Sequence, residues 1–217
     1  RLCRDWSSDV CSSDLVILQA GFGAGLDFLA AWAAWRADPA RCERLHFIAL
    51  EAGPLSGADL DALYRHLSAF PGFAPLQACA LELLAHWPQL LPGFQRLHFD
   101  DEGVTLTLVF GQIAAQLPQI VATVHAFALG PLGQQGELPA EDAEAGQGIT
   151  AALTRLAAPG ATLSSEAGPA LRENLSALGW STRPWPTSEN GAFVAHWPGS
   201  PPPKKPAATG FSISSAQ

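Results

Sequence analysis

The sequence predicts an α/β fold: a mainly parallel sheet flanked by helices and closed by an antiparallel pair of strands. Three observations carry that expectation. Short apolar runs alternate with stretches of helical period along most of the chain. The first such run ends in three closely spaced glycines and passes straight into a helix-like stretch. The last two apolar runs, residues 180–185 and 192–197, lie close enough in sequence to pair with each other.

In chain order, Val16-Ile17-Leu18-Gln19-Ala20 reads as a buried strand entering the turn Gly21-Phe22-Gly23-Ala24-Gly25. Leu26, Leu29, Trp32 and Ala33 then recur at helical spacing, predicting a helix over 26–36. Leu45-His46-Phe47-Ile48-Ala49-Leu50 is a second strand, and it ends in an acid, Glu51. A helix capped by Ser56 is predicted over 56–68, and another over 76–87, stopped by Pro88. Residues 94–99 and 104–110 alternate and flank Asp100-Asp101-Glu102-Gly103, a hairpin signal. A short helix starts at Gly111-Gln112-Ile113 and is disturbed by Pro118. Residues 124–129 form the next strand. Residues 130–148 read as loop, with a late-starting helix running to Leu156. A strand at 160–165 and a helix at 169–178 precede the closing pair.

Strand, glycine turn, helix, strand and acid are the parts of a nucleotide-binding βαβ unit. In such a unit the turn amides and the helix N-terminus face the ligand, and the acid meets ribose hydroxyls. Gly21, Phe22, Gly23 and Gly25 are therefore candidate cofactor contacts, with Glu51 on the ribose. The glycines run G-x-G-x-G, and the acid lies further downstream than the dinucleotide fingerprint places it. That spacing suits S-adenosylmethionine better than NAD and disfavours an NAD-dependent oxidoreductase. No P-loop lysine and no Gly-x-Ser-x-Gly elbow is present.

Composition bounds the rest. The chain has 217 residues and a net charge of −8, so phosphate binding by clustered basic residues is not in its composition. No apolar run reaches membrane-spanning length. Cys3 and Cys11 fall near the start, and Cys42 and Cys79 form no C-x-x-C pair, so neither a disulfide framework nor a zinc site is expected. His46, His66, His86, His98, His125 and His196 lack metal-ligand spacing; His125 is placed near the site but read as structural. Trp32, Trp35, Trp87, Trp180 and Trp197 read as packing groups. A cytoplasmic monomer with no membrane contact is expected.

The segments Gly21-Phe22-Gly23-Ala24-Gly25-Leu26-Asp27-Phe28-Leu29-Ala30, Trp35-Arg36-Ala37-Asp38-Pro39-Ala40-Arg41-Cys42-Glu43-Arg44-Leu45-His46-Phe47-Ile48, Glu51-Ala52-Gly53-Pro54-Leu55 and Leu156-Ala157-Ala158-Pro159-Gly160-Ala161-Thr162-Leu163 resemble the methyltransferase domain of the MnmC/MnmD family. The resemblance spans residues 16–197 and thins over 121–150. It implies a Rossmann-like class I S-adenosylmethionine-dependent methyltransferase fold. It also implies methylation of an aminomethyl group on the wobble 2-thiouridine of tRNA, with tRNA as partner. In two-domain members an FAD-dependent oxidase follows, and it is missing from this chain. By the same resemblance, family acids are replaced here by Gln19, Gln112 and Gly130. Gln19 and Gln112 keep hydrogen-bonding capacity towards the cofactor but bring no charge, and Gly130 occupies the position of the family Asp, which leaves the catalytic residue unassigned. Impaired transfer is therefore expected, and the alternative is a degenerate homologue acting as a binding or scaffold domain.

Residues 1–15 carry the echo Ser7-Ser8-Asp9 and Ser12-Ser13-Asp14 and look like a translated sequencing adapter. They are expected to be a non-native leader packing against nothing. Residues 198–217, rich in proline, are expected to be a linker or disordered tail.

Overall fold

A computed structural model describes residues 14–130, 143–166, 169–185 and 191–199. Most of the expected leader, residues 131–142 of the expected loop, and the expected tail from 200 onward lie outside the described residues.

Among the described residues, eight strands and six α-helices follow in the order β1 (Asp14–Ala20), α1 (Leu26–Ala37), β2 (Arg44–Glu51), α2 (Gly57–Leu67), α3 (Gln77–Ala85), β3 (Gly93–Phe99), β4 (Val104–Phe110), α4 (Ile113–Gln116), β5 (Val124–Leu129), α5 (Ala143–Leu156), β6 (Ala157–Ser165), α6 (Pro169–Ala177), β7 (Ser181–Pro184) and β8 (Phe193–His196). They form one sheet in the order β3-β4-β2-β1-β5-β6-β8-β7. The run β4-β2-β1-β5-β6 is parallel. The β3–β4 hairpin closes one side, and β8 with β7 closes the other, all antiparallel. Register sets the strand ends in one row: Glu51 opposite Phe110, Ala20 opposite Leu50 and Leu129, and Leu129 opposite Ser165. Strand order reverses at β1, which has β2 on one side and β5 on the other. The crevice outside the strand ends at such a reversal is where open α/β sheets bind ligands.

Each sheet face has its own core. Phe28, Leu29 and Trp32 of α1, Leu60 and Tyr64 of α2, and Leu83 of α3 pack on Phe47, Leu106 and Leu108. Leu18, Leu50 and Val109 on the opposite face meet Ile113, Leu153 and Leu175 of α4, α5 and α6. Burial of these side chains, at about 1.5–3 kcal/mol each for a large apolar group, is the main term holding the layers together. The far end of α1 is also tied by charge. The Arg36 guanidinium donates from Nε and Nη2 to both oxygens of Asp100 at 2.6–3.0 Å and from Nη2 to Glu82 at 2.8 Å. It also lies 4.5 Å from the centre of the Trp32 ring.

The Ser56 cap is present: its hydroxyl accepts from Asp59 N while the Asp59 carboxylate accepts from Ser56, a reciprocal capping box. Several boundaries differ from expectation. Asp14 and Leu15 are strand, paired with Arg44 and Leu45, and Leu15 packs against the α1 face; the expectation that residues 1–15 pack against nothing therefore fails for these two residues. The helix expected over 76–87 is shorter, because Pro71 and Pro75 impose a 3₁₀ turn (Pro71–Leu76) before α3 starts at Gln77. Helix α5 begins at Ala143 rather than after Gly148. Its stripe Ile149, Ala152, Leu153 and Leu156 is buried, and this anchoring outweighs the cost of about 1 kcal/mol for each helical glycine. β6 starts at Ala157, directly after α5, with an irregular register against Val124 and Ala126 of β5.

Candidate active site

The turn after β1 is the centre of the crevice. Gly21, Gly23 and Gly25 all have positive φ, at 85°, 53° and 69°. They serve different ends. A Cβ added at Gly21 or Gly23 meets nothing within 4 Å, so both face open space. One added at Gly25 would lie 2.5 Å from Phe22 Cζ, so that glycine exists to seat the ring beneath it. Phe22 is 3% exposed and stacks on Trp87 at 5.8 Å between ring centres. Its side chain is thus a core group, and only its backbone belongs to the turn.

Glu51 stands where the sequence placed it. Its Oε2 accepts from Gly23 N and its Oε1 from Gly53 N, both at 2.8 Å. A carboxylate held by two amides is fixed in position and keeps lone pairs for hydroxyl donors. Tyr64, which sequence reading passed over, donates its hydroxyl to Ala24 O at 2.6 Å and so ties the glycine turn to α2. Burial pushes its phenol up to about 12, so it stays a neutral donor. The signal available was a lone Tyr on the apolar stripe of α2, where a buried hydroxyl needs a partner.

Gln19 is 5% exposed. Its Nε2 donates to Asp27 Oδ2 at 2.8 Å, and its Oε1 is buried with no hydrogen-bond partner among the described residues. Gln112 is exposed; its carbonyl accepts from Ala115 N and Gln116 N, and its side chain makes no cap. Gly130 follows β5, and a Cβ there would lie 3.8 Å from Ala20 O, leaving room for a side chain. Gly130 and Asp27 line one cleft of about 450 Å³ with Ser164, Ser165, Glu166 and Trp185. The crevice thus has two parts: the turn with Glu51 over β1 and β2, and this cleft over β5 and β6.

His125 does not belong to it. It sits near the start of β5, at the opposite end of the sheet, where its Nδ1 accepts from Val16 N at 3.0 Å. It lines a larger cavity of about 1080 Å³ with His46, Arg96, His98 and Thr105, remote from the glycine turn. No group of three His, Cys, Asp or Glu side chains among the described residues is placed to hold a metal ion. No helix among them is long and apolar enough to cross a membrane.

Residues 74–184 match the family model described as S-adenosyl-L-methionine-dependent methyltransferase. Three relatives carry the name tRNA 5-methylaminomethyl-2-thiouridine biosynthesis bifunctional protein MnmC. The Burkholderia lata protein is 39% identical over 182 residues, covering 83% of this chain and 27% of its own length. The Cupriavidus metallidurans protein is 40% identical over 173 residues, 79% of this chain and 24% of its own. A Burkholderia mallei protein is 49% identical over 113 residues, 52% and 17%. The chain therefore spans only 17–27% of the length of these relatives. In three dimensions it is similar to MnmC2 from Aquifex aeolicus, with a TM-score of 0.59 at 15% identity, over 89% of this chain and 56% of that one.

Proposed function

The chain belongs to the family of S-adenosyl-L-methionine-dependent methyltransferases, and from that premise we propose that it methylates an aminomethyl group on a 2-thiouridine of tRNA. The observation that carries the reading is the similarity, at 39–40% identity over most of the chain, to relatives named for that biosynthesis.

The residues present suit the cofactor. Gly21 and Gly23 leave the turn open to a close-fitting ligand, and Glu51, held by two amides, offers acceptor lone pairs to ribose hydroxyls. Gln19 Oε1 is a buried acceptor with no hydrogen-bond partner among the described residues. When bound, S-adenosylmethionine supplies an electrophilic methyl group on a sulfonium sulfur. The protein's part is mainly to hold the attacking amine neutral and in line, an orientation effect. The β5–β6 cleft, beside Gly130 and away from Glu51, has room for that amine or for the cofactor's amino-acid end. The negative charge of the chain means that this unit draws on few basic groups to hold RNA. A cytoplasmic setting goes with a tRNA acceptor.

The test is transfer of labelled methyl from S-adenosylmethionine to tRNA bearing the unmethylated aminomethyl base, alongside calorimetry with S-adenosylhomocysteine. Transfer is expected, and Glu51→Ala is expected to weaken binding while Glu43→Ala, at the other end of the sheet, is not. Binding without transfer to this tRNA would reject the acceptor and favour a scaffold role. Absence of binding would reject the methyltransferase site itself.

A further inference from the structure

The acids expected at 19, 112 and 130 are absent, yet the crevice contains a carboxylate that sequence reading did not assign. Asp27 lies in the first turn of α1, directly after the glycine turn, and lines the β5–β6 cleft with Gly130. Odd-numbered residues of β1 face α1, which brings Gln19 under the start of that helix; Leu15 and Ile17 pack on the same face. The Gln19 amide donates to Asp27 Oδ2 at 2.8 Å. The charge absent from position 19 is thus present one hydrogen bond away.

Resting on the methyltransferase reading above, we propose that Asp27 is the anionic group that holds an ammonium or amine in this cleft, positioned by Gln19. The chemistry of the pair selects the ligand. With Nε2 spent on the carboxylate and the side chain buried outside the cleft lining, Gln19 presents no donor to a ligand. An ionised carboxylate likewise accepts and does not donate. An acceptor-only carboxylate on the cleft wall calls for a ligand carrying N–H groups, and positive charge matches it. Trp185, half exposed, also lines the cleft, and an indole there suits a cation. Glu166, on the same wall, adds negative charge.

Two parts of the proposed reaction carry such a nitrogen: the α-ammonium of the cofactor's amino-acid end, and the aminomethyl group of the acceptor base. Calorimetry with S-adenosylhomocysteine and with 5′-methylthioadenosine, which lacks the amino-acid end, separates them when combined with KM for aminomethyl tRNA. If Asp27 holds the cofactor's ammonium, Asp27→Asn weakens S-adenosylhomocysteine by about tenfold or more and leaves methylthioadenosine unchanged. If it holds the acceptor, both nucleosides bind as before and KM rises by about tenfold. The double variant Gln19→Glu/Asp27→Asn keeps one carboxylate and one amide at the same contact, and it is expected to recover most of whichever property was lost. A melting curve confirms folding of each variant. The proposal is overturned if Asp27→Asn changes neither property, if it weakens both nucleosides equally, or if the double variant recovers nothing. Failure of the unaltered chain to bind either nucleoside overturns the methyltransferase reading and this inference with it.

Discussion

Gly23→Ala and Gly25→Ala test whether the two glycines serve the roles assigned to them. Both place an L residue in the left-handed region, at φ 53° and 69°. That alone costs about 1–2 kcal/mol. At Gly23 the new methyl meets nothing within 4 Å, so the backbone term is the whole effect on stability. At Gly25 the methyl would lie 2.5 Å from Phe22 Cζ and 2.8 Å from Cε1, and the ring cannot retreat freely because it is 3% exposed and stacked on Trp87. Overpacking of this kind adds about 1–3 kcal/mol. For a domain of this size each kcal/mol lowers Tm by about 2–4 °C. Gly25→Ala should therefore melt about 4–20 °C lower, and Gly23→Ala about 2–8 °C lower. The rise in Tm on adding S-adenosylhomocysteine reports binding separately. Gly23→Ala should lose most of that rise, because its methyl enters the open side of the turn. Tryptophan fluorescence follows both melts. Equal melting temperatures for the two variants, or an undiminished ligand shift in Gly23→Ala, would refute the division.

Tyr64→Phe removes the hydrogen bond to Ala24 O and should lower stability by about 0.5–1.5 kcal/mol. An unchanged urea midpoint would count against the tie between α2 and the glycine turn. Burial lowers the pKa of His125, with the charge of Asp14 opposing it in part. The unfolded chain therefore binds more protons just below pH ~6.5, and stability present above that value falls as the pH drops towards the folded pKa. His125→Gln should flatten this slope in denaturation measured from pH 7 to about 5; an unaltered slope would remove His125 as its source. Burial would raise the Asp100 carboxyl, but hydrogen bonds from Arg36 and Trp32 outweigh it and hold the pKa below the usual range. Its stabilisation is present above about pH 4 and lost as the pH falls through the folded value. Asp100→Asn should be less stable at neutral pH and lose less on acidification, and a parallel acid limb in both proteins would contradict this.

The sheet was legible because its strands are buried on both faces or alternate cleanly. β2, the β3–β4 hairpin, β5 and the closing pair stand within a residue or two of their expected bounds. The position of Glu51 was legible because a strand end is a fixed place. Asp27 was not, since its partner Gln19 lies across a turn whose path the sequence does not specify, and its own neighbours Leu26 and Phe28 read as the start of a helix. A signal existed: a glutamine inside an apolar strand has an amide that needs a partner. Phe22 was assigned to the ligand because it sits among glycines, yet the left-handed turn directs its ring into the core. His125 was placed near the site by strand membership alone; a strand has two ends, and this residue is at the other one.

Helix α1 is fastened at both extremities. Its first turn is joined to β1 through Asp27 and Gln19, and its last turn to α3 and the β3–β4 turn through Arg36. The two fastenings are nine residues apart, about 13–14 Å along the axis. Helices ordinarily lose their ends first, so terminal amides exchange with solvent through local fraying. Here neither end is free to start. The α1 amides should exchange with deuterium only through openings that also part the sheet from its helices. The glycine turn, continuous with the first turn of this helix, inherits the same slow clock from contacts that lie on the far side of the domain.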